Sequence, residues 1–304
     1  MKVLDAEVVL DNPNSPLTII PFGCVHRDDP GFRESLWRQC VDEIASTSNC
    51  YAVGLGDYAN FLRTTARTYL KAYVADDNSF RELDSMVKGE AIRFYETYLK
   101  RIKDKLLGLA EGNHYHEFQN QTTDTQLLCD LAQVPYLDKP CFMRLAVKMK
   151  ASGERETKTL KVFKVLIHHG DWSGGNSRIG GDVNAAENKA LGFDFDIYIF
   201  SHTHRLWGMH IPSLTIPTMG ALKVIERPRV FIRSGCFMTG YDEKCQKSYA
   251  HKKLLPPTEL GYCRLGIQFY REYERERREE SKARIGVNKA SGAGLWKYKF
   301  SVKY

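Results

Sequence analysis

The sequence predicts an α/β protein, and three observations carry that expectation. Six short apolar runs are each closed by glycine or a polar cluster, stretches of helical spacing lie between them, and no repeat or low-complexity segment interrupts the alternation. Short apolar runs bounded by glycine describe strands buried on both faces, as they are when helices pack on a sheet. The length of 304 residues and the 43% hydrophobic share allow a sizeable core and exclude a disordered chain. That length fits one large α/β domain or two domains.

The first strand is Leu17–Phe22, an apolar run ending at Gly23. Residues 51–55 form the next, before Gly56-Asp57, and 106–110 the third, before Gly112-Asn113-His114. Runs at 162–167, 197–200 and 230–233 precede His168-His169-Gly170, Ser201-His202-Thr203-His204 and Ser234-Gly235-Cys236. Helices are predicted over 31–47, where Phe32, Leu36, Cys40 and Ile44 share a face, and over 84–104, with Met86, Ile92, Tyr95, Leu99 and Ile102. The whole of 58–104 is read as a helical excursion over one rim of the sheet. The stretch 211–228 reads as a hairpin or loop, and a long loop containing Pro256-Pro257 follows Gly235. From Trp296 to Tyr304, apolar residues hold the even positions and Lys or Ser hold 297, 299, 301 and 303. That alternation describes a half-buried strand. Two domains of unequal size result: 1–270, and a basic extension, 271–304, ending in a docking strand.

Charge is uneven along the chain. Lys and Arg number 44 against 37 Asp and Glu, a net of +7. Residues 271–304 hold ten Lys/Arg and five Glu, a net of +5, so the rest is close to balanced. A basic tail is better supported than a global field for nucleic acid. The eight cysteines contain no Cys-x-x-Cys pair and are scattered, which fits a reducing cytoplasm rather than a disulfide framework. No apolar run approaches the roughly 18 residues of a membrane span, and the acidic N-terminus is unlike a signal peptide. A soluble, cytoplasmic protein without a membrane partner is expected.

Five of the six strands end in residues that ligate metals: Cys24-Val25-His26, Gly56-Asp57, Gly112-Asn113-His114, His168-His169-Gly170-Asp171 and His202-Thr203-His204. In open α/β sheets, sites form outside the carboxyl ends of strands. Residues two apart on extended chain point to the same side, so Cys24 with His26, and His202 with His204, can face one ion. A lone carboxylate such as Asp57 has two oxygens and can bridge two cations. The set suffices for two divalent ions about 3.5–4 Å apart, as in two-metal hydrolases.

The order of these motifs, over roughly 17–240, resembles the calcineurin-like metallophosphoesterase superfamily. The segment from Ser234-Gly235-Cys236-Phe237 to Pro256-Pro257-Thr258-Glu259-Leu260-Gly261 looks like bacteriophage or prophage members, which would put the protein in a host cytoplasm. The resemblance implies a four-layer α/β/β/α sandwich of two mixed sheets flanked by helices. It implies that His26 and His204, with Cys24 beside them, bind one metal, that Asp57 bridges, and that Asn113, His169 and His202 bind the second. It implies that His114 is not a ligand but the catalytic residue that contacts the scissile phosphate and protonates the leaving group. The cofactors implied are two divalent ions, Mn, Fe or Zn. The activity implied is hydrolysis of a phosphate ester by metal-activated hydroxide, with a nucleotide or nucleic-acid phosphodiester favoured by the basic tail. A phosphomonoesterase or protein phosphatase, and a metal-poor binding protein, are the alternatives.

Two positions depart from the superfamily pattern. Cys24 stands where the pattern has Asp, and is either a soft thiolate ligand favouring Zn or Fe, or a small filler. Asp28 and Asp29 are the nearby carboxylates able to replace the missing one, at the wrong spacing. Ser201 stands for Gly, a minor change. His169 rather than His168 is the expected ligand because the pattern has His before Gly. His116 is expected to be an exposed loop histidine, and His210 and His251 ordinary ones. Asp171 either orients a ligand or caps the next segment. Arg63, Arg67, Arg178 and Arg205 are solvated surface arginines or phosphate contacts. The charged run 271–284 reads as a solvated surface element. The strand at 296–304 either docks on this chain or on a second subunit, giving a homo-oligomer, or stacks bases of single-stranded nucleic acid.

Overall fold

A computed structural model of the chain describes residues 3–10, 15–60, 77–137, 139–150, 157–170, 180–190, 192–216, 224–243, 257–272 and 295–304. Arg63, Arg67, Asp171, Arg178, Cys245, His251, Pro256 and the stretch 273–294 lie outside the described residues. The strands in chain order are β1 (Val3–Leu10), β2 (Leu17–Phe22), β3 (Cys50–Gly54), β4 (Leu106–Ala110), β5 (Tyr136–Leu137), β6 (Cys141–Lys150), β7 (Thr157–His168), β8 (Ile197–Phe200), β9 (Leu206–His210), β10 (Ser213–Thr215), β11 (Ile225–Arg227), β12 (Val230–Ser234), β13 (Arg264–Glu272) and β14 (Leu295–Lys303). The helices are α1 (Glu34–Ser46), α2 (Asp77–Thr97), α3 (Asp124–Ala132) and α4 (Gly181–Ala190).

Two six-stranded mixed sheets form, in the orders β14-β13-β2-β3-β4-β5 and β1-β6-β7-β8-β12-β9. Period-two alternation builds the layers. On β2, Leu17 and Ile19 enter the core shared by the two sheets, with Leu145, Phe163, Val165, Ile199 and Ile232 opposite. Ile20 and Phe22 face the other way, under the helices. There α1 buries Trp37, Cys40, Val41 and Ile44, an i, i+3, i+4, i+7 stripe, and α2 and α3 add Ala91, Phe94, Leu128 and Cys129. The outer face of the second sheet, through Leu166, Tyr198, Phe200 and Phe231, is covered by Ala186 and Ala190 of α4. The layers therefore run α/β/β/α.

α3 begins with a capping box, in which Thr123 accepts from the Gln126 backbone and the Gln126 side chain accepts from the Thr123 backbone. The excursion expected at 58–104 contains α2 and two short 3-10 turns, with 61–76 outside the described residues. In 211–228, β10 and β11 pair antiparallel as the two arms of a hairpin. β13 runs through position 270 and pairs antiparallel with β14. Tyr298 and Phe300 of β14 meet Phe163 at centroid distances of 4.8 and 5.7 Å. Tyr298 and Phe300 thus face the core of this chain, whereas Tyr304 is exposed. No described helix is long and apolar enough to cross a membrane.

Candidate metal centre

The loops that follow β2, β3, β4, β7 and β8 converge. Cys24 N donates to Gly56 O (3.0 Å) and His26 N to Asp57 O (3.1 Å), which zips the first two loops together. Ser201 N donates to His169 O (3.0 Å), joining the last two. Glycine is needed where the loops touch. A Cβ on Gly112 would lie 1.9 Å from Asp57 Oδ1, and one on Gly56, at φ +94°, would lie 2.1 Å from Gly112 N. The Gly-Asp and Gly-Asn-His spellings follow from that contact.

Eight described non-glycine residues have positive φ, and five of them are Cys24, His26, Asp57, His202 and His204. Left-handed backbone costs a non-glycine residue about 1–3 kcal/mol and clusters where function holds it. Concentration at the expected ligands marks these turns as built for presenting side chains.

The sulfur and imidazole atoms of Cys24, His26 and His204 lie within 4.8 Å of one another, and so do those of Cys24, Asp57 and His169. Cys24 belongs to both groups. Asp57 also reaches both, with Oδ2 3.1 Å from His169 Nε2 and 4.0 Å from His26 Nε2. His26 Nδ1 donates to Asn60 Oδ1 (2.7 Å), whose amide nitrogen donates to Asp29 Oδ2 (2.9 Å). His169 Nδ1 donates to Leu55 O (2.6 Å). Both rings therefore turn Nε2 inward, an orientation fixed by the partner on the far nitrogen. His26 Nε2 lies 3.2 Å from His204 Nε2.

Asn113 Oδ1 lies 3.2 Å from His169 Nε2. With its oxygen inward the amide joins a set of acceptors, which a cation satisfies. With its nitrogen inward it donates to Asp57 Oδ2 (2.7 Å) and His169 Nε2 (3.2 Å), a network closed without metal. His202 lies outside both groups, its ring 5.2 Å from that of His169. His114 donates its backbone N–H to Asp57 Oδ1 (2.9 Å) and sets its ring edge-on to His26, centroids 5.3 Å apart.

Electrostatics suit a cation. Burial alone would raise the Asp57 carboxyl, but His169, His26 and His114 around it hold it well below its usual range. Burial, helped by His26, depresses the His204 imidazole, so it is neutral at pH 7 and able to ligate. Burial and then Asp57 push the Cys24 thiol well up, so it ligates only when a metal displaces its proton. The donor set of thiol, carboxylate and imidazoles could hold a metal ion.

Several expectations change here. Asp28 and Asp29 do not replace the carboxylate missing at position 24; both accept from Asn60, Asp28 Oδ1 from its backbone N–H (2.5 Å) and Asp29 Oδ2 from its side-chain amide (2.9 Å). His116 is buried, not exposed, and lies 2.7 Å from Asp84 Oδ1 of α2. Its loop is pressed beneath α2, an arrangement its local sequence does not announce. Asn60, Ser234, Arg233 and Asp182 were not singled out. Arg233 is fully buried in β12, donating to Ser201 O and lying 2.9 Å from the equally buried Asp182.

No protein-family model and no curated protein sequence matches this chain. Among solved structures, it is similar to Vps29 of Chaetomium thermophilum, at 9% identity over 94% of this chain and 96% of that one, with a TM-score of 0.32. It is similar also to vacuolar protein sorting 29 of Cryptosporidium parvum, at 12% identity over 95% and 100% of the chains, with a TM-score of 0.34. Likeness at these scores carries no argument, and the sandwich stands on its own sheet order and core.

Proposed function

We propose that this chain is a two-metal-dependent phosphoesterase that hydrolyses a phosphodiester of a nucleotide or nucleic acid. The observation that carries the reading is the gathering of Cys24, His26, Asp57, His169 and His204 into two overlapping ligand groups, four of the five on left-handed backbone. His26 and His204 would hold one ion, His169 and Asn113 the other with His202 adjoining, and Asp57 stands between. Two divalent ions of Mn, Fe or Zn bound there would supply Lewis acidity and an acidified water.

The remaining chemistry belongs to the chain. His114 fixes Asp57 through its backbone and sets its partly exposed ring edge-on to His26. That ring is the group able to bring a proton to a leaving oxygen. The preference for a diester rests on the ten Lys/Arg against five Glu in 271–304, a field that favours a polyanion. The phage-type resemblance has no further support and carries none of this.

A second reading is favoured by the alternative Asn113 orientation, in which the network closes without metal and the protein is a binding module. Metal analysis of the purified chain, with hydrolysis of chromogenic phosphomonoesters and phosphodiesters, separates the two. Bound divalent metal with diester turnover is expected. A metal-free protein inert to both substrates after Mn, Fe and Zn supplementation would overturn the reading.

A further inference from the structure

The two positions that depart from the metallophosphoesterase pattern, Cys24 and Ser201, are 177 residues apart in the chain and touch. Cys24 Sγ lies 3.3 Å from Ser201 Oγ. Both side chains are buried, as is Ser234, whose hydroxyl donates to Ser201 Oγ at 2.9 Å. Gly235 O is a longer second acceptor for Ser234, at 3.3 Å. With its oxygen taking the Ser234 proton, Ser201 is left to direct its own proton at the sulfur. The His202 backbone N–H is a second donor to that sulfur. Ser201 is itself held from both sides, its N–H on His169 O and its carbonyl under Arg233. Its Oγ fills the space in front of Gly23, where an added Cβ would come within 2.6 Å. Cys24 is the one residue common to both ligand groups.

We infer that Ser201, backed by Ser234, is a positioning residue for a Cys24 thiolate ligand, and that Cys24 and Ser201 together make this a centre for thiophilic divalent ions of the Zn, Fe and Co class. The inference rests on the two-metal reading above. A buried thiolate needs donors on the lone pairs it does not give to metal, and a hydroxyl chain supplies a charge-assisted one. An aspartate with glycine opposite suits harder ions such as Mg or Mn. The two departures compensate each other: the softer ligand comes with its own donor.

The test uses the full chain loaded with Co²⁺, whose bond to a thiolate gives a near-ultraviolet charge-transfer band. A hydrogen bond to sulfur lowers its donor level, so Ser201→Ala should move that band to longer wavelength. It should also weaken Zn²⁺ binding about tenfold or more, the usual effect of losing an outer partner of a ligand, with a smaller change for Mn²⁺. Ser234→Ala should shift the band the same way and less. In Cys24→Asp the band should vanish, and adding Ser201→Ala should then leave Mn²⁺ binding unchanged. A band unmoved in Ser201→Ala, with unchanged Zn²⁺ affinity, overturns the inference. If Ser201→Ala fails to fold, an unmoved band in Ser234→Ala does so. Co²⁺ bound without any band in the unaltered chain overturns the thiolate ligand and this inference but leaves a metal centre standing. No metal bound at all overturns the two-metal reading itself.

Discussion

Replacing His114 by alanine separates proton delivery from metal binding. His114 donates its backbone N–H to Asp57 Oδ1 at 2.9 Å, a contact that alanine keeps. The side chain lost is a partly exposed ring standing against His26. Both metals should therefore remain. Loss of a general acid costs about 10²–10⁴ in rate, which is about 3–5.5 kcal/mol of transition-state stabilisation. The deficit should grow with the basicity of the leaving group, because a nitrophenolate departs without a proton and an alkoxide does not. The assay is kcat on a series of aryl and alkyl phosphodiesters, with metal counted by elemental analysis on the same samples. A loss of metal would make His114 a ligand. A deficit independent of the leaving group would remove it from proton delivery.

Asp57→Asn should bind fewer metal ions and lose most turnover, since Asp57 spans both histidine sets; full activity in metal-supplemented buffer would refute the two-metal centre. Cys24→Ala should weaken one metal site; an unchanged metal count and unchanged Zn²⁺ affinity would make it a packing residue. Arg233→Met removes the ion partner of the buried Asp182 carboxylate, which keeps the Trp207 Nε1 donor at 2.7 Å, and should cost about 3–5 kcal/mol in urea unfolding, part of it restored by Asp182→Leu in the same chain; an effect below about 1 kcal/mol would contradict the pairing. Arg264, and after it Tyr262, hold the Glu43 carboxyl below its usual range against a smaller upward push from burial. Its contribution is present above the unfolded value of about 4.3 and lost as pH falls through the depressed folded one. Glu43→Gln should therefore lower stability by about 1 kcal/mol or less at pH 6, with the gap closing toward pH 3; a gap that widens in acid would refute the assignment.

The strand-end motifs were legible because each is a local event, an apolar run, a glycine and a ligand. β2, β3, β4, β8 and β12 lie where those runs predict. β6 was missed although its inward and outward positions alternate, because it lacks a motif at its end. β13 was missed because its pattern, Leu265, Ile267 and Phe269, becomes a core face only once β2 and β14 flank it. Arg233 looked like the polar end of an apolar strand. Its burial depends on Asp182, which lies upstream on a helix that is short and weakly patterned. Likewise, the glycine-to-serine change at 201 looked minor because its meaning lies in a contact with Cys24 across the fold. Pairings of this kind need two remote segments at once, and a single pass along the chain sees neither.

The pairing of β2 with β13 joins Ile19 to Leu265. On a ribosome the strand that leads into Cys24 and His26 gains β3 as a neighbour early, but its other edge stays open until some 245 further residues have been made. At about 5–20 residues per second that is on the order of ten to fifty seconds. During that interval an apolar strand edge next to a free thiol is exposed, a risk for association between nascent chains. Slowing synthesis after residue 60 should therefore lower the soluble yield, whereas supplying metal during synthesis should not rescue it until the last two strands have closed the sheet.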